Sequence, residues 1–181
     1  RHWKADRRPG QPIPRAHWHQ DDPGVFPTAV ISGAGGPTGV TVYEGDLLPD
    51  RYQGAVLGCD AGANVVYAFH PERDGAGYAL EIDDLIRSVP LVEENDLAQF
   101  FRPSDVVVGH DGAVYVADWF DPGVGGHLAR DAAAYGRILR IAPAQHEVTA
   151  PPGPFVWLED AAIHLNSPSP AVRASAFAAL G

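Results

Sequence analysis

Residues 101–141 read FRPSDVVVGHDGAVYVADWFDPGVGGHLARDAAAYGRILRI. Two β-rich runs, Val106-Val107-Val108 and Val114-Tyr115-Val116, flank the turn His110-Asp111-Gly112. An Asp-Gly pair between apolar runs predicts a hairpin, because the turn needs a positive φ and glycine supplies it without steric cost. A third strand, Arg137–Ile141, follows a loop rich in Gly, Asp and His. Strand, Asp-Gly turn, strand, long polar loop and strand form the pattern of one blade of a β-propeller.

A second copy precedes it. Gly39-Val40-Thr41-Val42-Tyr43, Gly54-Ala55-Val56-Leu57-Gly58-Cys59 and Asn64-Val65-Val66-Tyr67-Ala68-Phe69 read as strands, with 44–53 a polar connection. Pro37-Thr38-Gly39-Val40 aligns with Pro103-Ser104-Asp105-Val106, and Gly54-Ala55-Val56 with Gly112-Ala113-Val114. Asp60 aligns with Asp118, and Val65-Val66-Tyr67 with Ile138-Leu139-Arg140. The offset of about 60 to 70 residues exceeds the ~40 to 50 of compact propeller repeats, so loop insertions are expected. Tyr78-Ala79-Leu80-Glu81-Ile82 alternates apolar and polar residues, which predicts an outer or edge strand. Ile82, Leu85 and Ile86 then allow one helical turn at the start of an acidic stretch, 83–99.

The chain has 181 residues with 20 Gly and 17 Pro, an excess that suits a turn-dense β architecture. Acidic residues number 23 against 13 Lys and Arg, and the net charge of −10 sets the chain against nucleic-acid phosphates. No apolar run approaches the roughly 20 residues of a membrane span. The single cysteine, Cys59, excludes an internal disulfide and a CxxCH haem attachment within this sequence. With no methionine and an Arg at position 1, the chain reads as a segment of a longer protein.

The flanks differ from the centre. Residues 1–27 are expected to be an irregular segment, since Pro9, Pro12 and Pro14 each fix φ and remove an N–H. The cluster His17-Trp18-His19 there suits either a ligand or aromatic pinning of a loop. Residues 28–148 are assigned to propeller blades, beginning with a β-branched strand at 28–32. Residues 149–181 are a linker, around Pro151-Pro152-Gly153-Pro154, and the start of a helical repeat. Val156, Trp157, Leu158, Ala161, Ile163 and Leu165 fit a short amphipathic helix. Ser169 as N-cap and Pro170 as first helical residue predict a second, with Val172, Ala176 and Leu180 along one face. Helix, Ser-Pro turn, helix is how a HEAT-like solenoid begins.

The loop after Val116 gathers the candidate chemistry. Asp118, Asp121 and His127, with Asp131 nearby, offer hard oxygens and an imidazole beside glycines 123, 125 and 126. Calcium takes six to eight oxygens, backbone carbonyls included, so Asp118 and Asp121 are candidate metal ligands. His127 and Asp121 could also act as a catalytic acid–base pair. Equally, Asp118 and Asp121 could cap turns while Trp119 packs between blades. Asp60 at the position equivalent to Asp118 favours that second reading.

The runs PTGVTVYEGDLLPDRYQGAVLGCDAGANVVYAF, DGAGYALEI, FRPSDVVVGHDGAVYVADWFDPGVGGH and GRILRI, within residues 17–142, resemble the membrane-bound dehydrogenase family of planctomycete and verrucomicrobial type. Its propeller is similar to that of the glucose/sorbosone dehydrogenases, which use pyrroloquinoline quinone. The resemblance implies a sugar or alcohol substrate, a periplasmic or extracytoplasmic location, and HEAT-like repeats after the propeller. It places a c-type haem domain beyond this segment, and other segments or subunits would complete the propeller. In those quinone enzymes an Arg-x-Arg-Asp run precedes the Asp-Gly turn, and Arg102-Pro103-Ser104-Asp105 resembles it with Ser104 in place of the second arginine. Arg102, Asp105 and Trp119 are thereby implied as cofactor-binding residues. Arg102 could instead form a salt bridge to Asp105 or Asp118 that joins blades. Against the enzyme stands a second possibility, a non-catalytic carbohydrate- or protein-binding scaffold.

Overall fold

The computed structural model describes residues 36–89, 100–121 and 135–181. The chain there is mainly β, in two antiparallel meanders. The first runs β1 (Pro37–Val42), β2 (Val56–Asp60), β3 (Val65–Asp74) and β4 (Gly77–Arg87) in that spatial order. The second runs β5 (Pro103–Val108), β6 (Val114–Asp118) and β7 (Arg137–Ile141). Two helices follow, α1 (Leu158–His164) and α2 (Pro170–Leu180). The expected strand at 28–32 and the His17 cluster lie outside the described residues.

The internal repeat is a repeat of structure. Pro37 opposes Asp60 and Pro103 opposes Asp118, and the register slips just after each proline. Gly54 and Gly112 both take φ +79°, the left-handed turn conformation expected before β2 and β6. In the third strand the alignment needs correction. Asp60 opposes Val65 and Asp118 opposes Arg137, so Val65-Val66-Tyr67 corresponds to Arg137-Ile138-Leu139. A shift of one residue exchanges the faces of a strand, and matching apolar to apolar in sequence concealed it.

A second correction concerns 82–86. No helical turn forms there; β4 continues to Arg87 as the edge strand of its sheet. Its register slips where Val66 opposes Ile86 but Tyr67 opposes Asp84, leaving Leu85 as an extra residue. Both Leu85 and Ile86 consequently pack on the core. A bulge of this kind reproduces the i, i+3, i+4 spacing of a helix face.

Partners across the ladders place Thr41, Leu57, Cys59, Val66, Ala68 and Ile86 on one face of the first sheet. Val106, Val108, Val114, Val116, Leu139 and Ile141 share one face of the second. These two faces meet, and between them lies the core. Tyr43 and Tyr52, in and beside the 44–53 connection, are buried with them. The Tyr43 hydroxyl accepts the Leu47 and Leu48 N–H groups at 2.9 and 2.8 Å and so folds that connection inward.

The helices begin as expected, with Ser169 Oγ accepting the Val172 N–H and Pro170 in the first turn of α2. Val172 and Ala176 are buried, but of the apolar set assigned to α1 only Ala161 is. Val156, Trp157, Leu158 and Ile163 face solvent, because α2 covers one side of α1 alone. Arg173 Nη2 donates to Glu44 Oε2 at 2.5 Å and ties α2 to the first sheet. Among the described residues no helix is long and apolar enough to cross a membrane.

Candidate functional site

The end of the sheets that carries Asp60 and Asp118 is opposite the one where the helices attach. Each aspartate ends the second strand of its meander, caps the loop that follows and holds the start of its meander's first strand. Asp60 Oδ1 accepts the N–H groups of Gly36, Gly62 and Ala63 at 3.1, 2.9 and 3.0 Å. Asp118 Oδ1 accepts those of Arg102 and Phe120 at 2.8 and 3.0 Å, while Oδ2 accepts Arg137 Nε at 2.9 Å. Both aspartates are buried. Asp118 thus does the work of a turn-capping residue and holds β7 by its charge.

Arg102 is buried at the same end, where it spans the two sheets. Its Nε donates to the Asp121 carbonyl at 2.7 Å and its Nη1 to the Ala61 carbonyl at 2.6 Å. Its own carbonyl accepts the Trp119 N–H at 2.9 Å. Burial pulls its pKa below that of a free guanidinium, and the Asp121 charge opposes this. The salt bridge to Asp118 goes to Arg137 instead.

Asp105 lies elsewhere, in the seam where β1 passes β5. Its Oδ1 accepts the Val106 N–H at 2.9 Å, and a Cβ on Gly39 would sit 2.5 Å from its Cα. Thr38 Oγ1 donates to the Pro103 carbonyl at 2.7 Å across the same seam. Burial raises the neighbouring Cys59 thiol to about 12, the Asp105 charge adds to this, and a hydrogen bond with Thr38 opposes it.

Trp119 stands out from the loop, 63% exposed, rather than between the sheets. Beside it Phe120 adopts φ +51°, a left-handed conformation that is costly for a bulky residue. Its ring meets Phe100 at 5.4 Å and Tyr135 at 5.8 Å between centroids, and the Arg137 guanidinium lies 5.2 Å from its centre. Tyr135 is itself 62% exposed. No motif in the sequence marks Phe100, Phe120 or Tyr135 as site residues, and Arg137 reads there only as the start of a strand. The adjacent pair Trp119-Phe120, where the first meander has Ala61-Gly62, was the available signal.

The structure therefore brings Arg102, Asp118, Trp119 and Asp121 to one sheet end and places Asp105 in the seam. His127, Asp131 and the glycines 123, 125 and 126 lie outside the described residues. Among the described residues no three carboxylate, imidazole or thiol side chains converge as a metal ion would require.

At the opposite end a second buried carboxylate, Asp111, forms an ion pair. Its Oδ2 accepts Arg140 Nη2 at 2.8 Å, Arg140 Nε at 3.1 Å and the Tyr115 hydroxyl at 3.1 Å. Arg140 also reaches the His146 carbonyl at 3.1 Å and its Nδ1 at 2.6 Å, and so clamps the linker to the sheet. Burial raises the Asp111 pKa, but hydrogen bonds from Arg140, the Ala113 N–H and Tyr115 outweigh it and leave the carboxyl below its usual range.

These features define a mainly β protein of repeated antiparallel meanders, with a ring-rich rim at one end and a helical pair at the other. The chain belongs to the family of a domain of unknown function, DUF7133, whose profile matches residues 3–145. No curated protein and no solved structure matches it.

Proposed function

We propose that the two meanders are blades of a β-propeller followed by the first pair of a HEAT-like solenoid, and that the Asp118 end binds carbohydrate without transforming it. The observation that carries the reading is the pair of exposed rings, Trp119 and Tyr135, flanking a Phe120 held in a strained backbone conformation. Flat aromatic faces are electron-rich and stack on the C–H faces of sugars. Strained residues gather at binding sites because the surrounding structure must hold them. Face-to-tail packing of two equivalent meanders supports the propeller. A glycan panel read by calorimetry tests the site. Saturable binding that is lost in Trp119→Ala and Tyr135→Ala, and kept in His127→Ala, is expected. Binding indifferent to both ring substitutions refutes it.

A second reading, a quinone- and calcium-dependent sugar or alcohol dehydrogenase of the periplasm, draws on the gathering of Arg102, Trp119 and Asp121 at one end. Arg102 uses Nε and Nη1 on backbone carbonyls, which favours a role as a strut. Dye reduction with sugars after adding pyrroloquinoline quinone and calcium separates the two readings.

A further inference from the structure

The repeat isolates an exposed cation beside the rings. Arg137 opposes Asp118 in the second meander where Val65 opposes Asp60 in the first. Val65 is fully buried, whereas the Arg137 side chain is 51% exposed. A valine serves the same place in the first meander, so the fold does not require a cation there.

The guanidinium is fixed in position. Its Nε donates to Asp118 Oδ2 at 2.9 Å, and it lies 5.2 Å from the centre of the Phe120 ring. Asp118 is itself held by the N–H groups of Arg102 and Phe120, and its side chain has no exposed surface. The negative charge thus lies behind the guanidinium, and the outward part of the pair is cationic. Among the described residues neither Nη1 nor Nη2 of Arg137 has a hydrogen-bond partner. The Asp121 charge, for its part, acts on Arg102. Phe120 joins the cation to the rings, with Tyr135 5.8 Å away between centroids and Trp119 next in the chain.

We infer that the carbohydrate bound at this end carries a carboxylate, as a uronic acid does, and that Arg137 selects it. The inference rests on the carbohydrate reading given above. With Nε engaged, the two Nη groups remain for an end-on, two-point contact with the planar acid. The rings beside it take the C–H faces of the same ligand. A guanidinium already held in place loses little rotamer freedom on binding, which favours the contact over one made by a mobile side chain. The net charge of −10 opposes a densely charged polyanion, so the ligand suited to this end has isolated acids among neutral sugars.

Calorimetry on the 181-residue chain tests it with oligosaccharides carrying a single glucuronic or galacturonic acid, each paired with its carboxyl-reduced, neutral counterpart. At least one acid should bind about tenfold or more tightly than its counterpart. Arg137→Gln, at an exposed position, should remain folded by circular dichroism and bind the two forms alike, at the weaker level. Arg137→Lys keeps the charge without the fork and should restore part of the preference. Neutral forms bound as tightly as the acids, with Trp119 still required, overturn the inference and leave the carbohydrate reading standing. A preference for the acid that survives Arg137→Gln overturns it as well. So does the absence of binding to every acid, and the neutral glycans then decide the carbohydrate reading by themselves.

Discussion

Removing the Asp118 carboxylate should cost folding energy in a way that separates its hydrogen bonds from its charge. In Asp118→Ala the N–H groups of Arg102 and Phe120 lose their acceptor in a site whose side chain is fully buried. An unsatisfied buried donor costs about 1–3 kcal/mol. Arg137 loses its partner too, but its side chain is 51% exposed and water takes over most of that contact, so the pair adds no more than about 1 kcal/mol. The sum is about 2–7 kcal/mol, which in a chain of this size lowers Tm by roughly 4–28 °C. Asp118→Asn keeps an oxygen for both N–H groups and loses only the charge towards Arg137, so a cost of no more than about 1 kcal/mol is expected. Urea unfolding followed by circular dichroism measures both, with Asp60→Ala as the control at the repeated position. If Asp118→Ala falls within about 1 kcal/mol of wild type, or Asn costs as much as Ala, the capping argument fails.

Three further outcomes follow from the same contacts. Cys59, buried and with its thiol at about 12, should not react with a disulfide reagent at pH 8 in the native chain and should react fully in urea. The Asp111 carboxyl lies below its unfolded value of roughly 3.9. Its contribution to stability is therefore complete above that pH and lost as pH falls below it. Unfolding free energies measured between pH 5 and pH 2 should drop less steeply in Asp111→Asn. Ser169→Ala removes the cap of α2 and should cost about 1 kcal/mol by chemical denaturation.

The strands and helices were readable because their signals are local. The Asp111-Gly112 turn, the valine runs and the Ser169-Pro170 helix start each satisfy a backbone requirement within a few residues, and each formed where expected. Asp60 and Asp118 were aligned for the same reason. Structure and sequence pattern part where one residue decides a face. Leu85 is an extra residue in β4, and its effect on spacing is indistinguishable in sequence from a helical turn. The offset in β7 was hidden because Ile138 and Leu139 are both apolar, and only pairing with Asp118 distinguishes them. At the candidate site, Arg102 is visible as a charge, but its Nε and Nη1 go to the carbonyls of Asp121 and Ala61. Backbone acceptors carry no side-chain signature, so a strut and a ligand clamp read alike. The aromatic cluster joins Phe100, Phe120 and Tyr135 across two loops, a proximity that no spacing encodes.

The repeat also separates what holds this end of the protein from what the end could bind. In the first meander, a Cβ on Gly36 would lie 2.5 Å from the Gly62 nitrogen, so the loop after Asp60 closes flat and admits no side chain there. At the equivalent place the second meander carries Arg102, whose side chain leaves the loop and crosses to Ala61. The backbone contacts are the same in both loops, Ala61 N–H to the Gly36 carbonyl and Trp119 N–H to the Arg102 carbonyl, but the loop after Asp118 carries Trp119 and Phe120 where the first has Ala61 and Gly62. The aspartate is shared by both loops, so its contribution belongs to folding. The rings occur in one loop alone, at a backbone conformation that folding would not choose for phenylalanine. Substitution at Asp118 should accordingly register in the unfolding curve, and substitution at Trp119 in ligand binding with the unfolding curve unchanged.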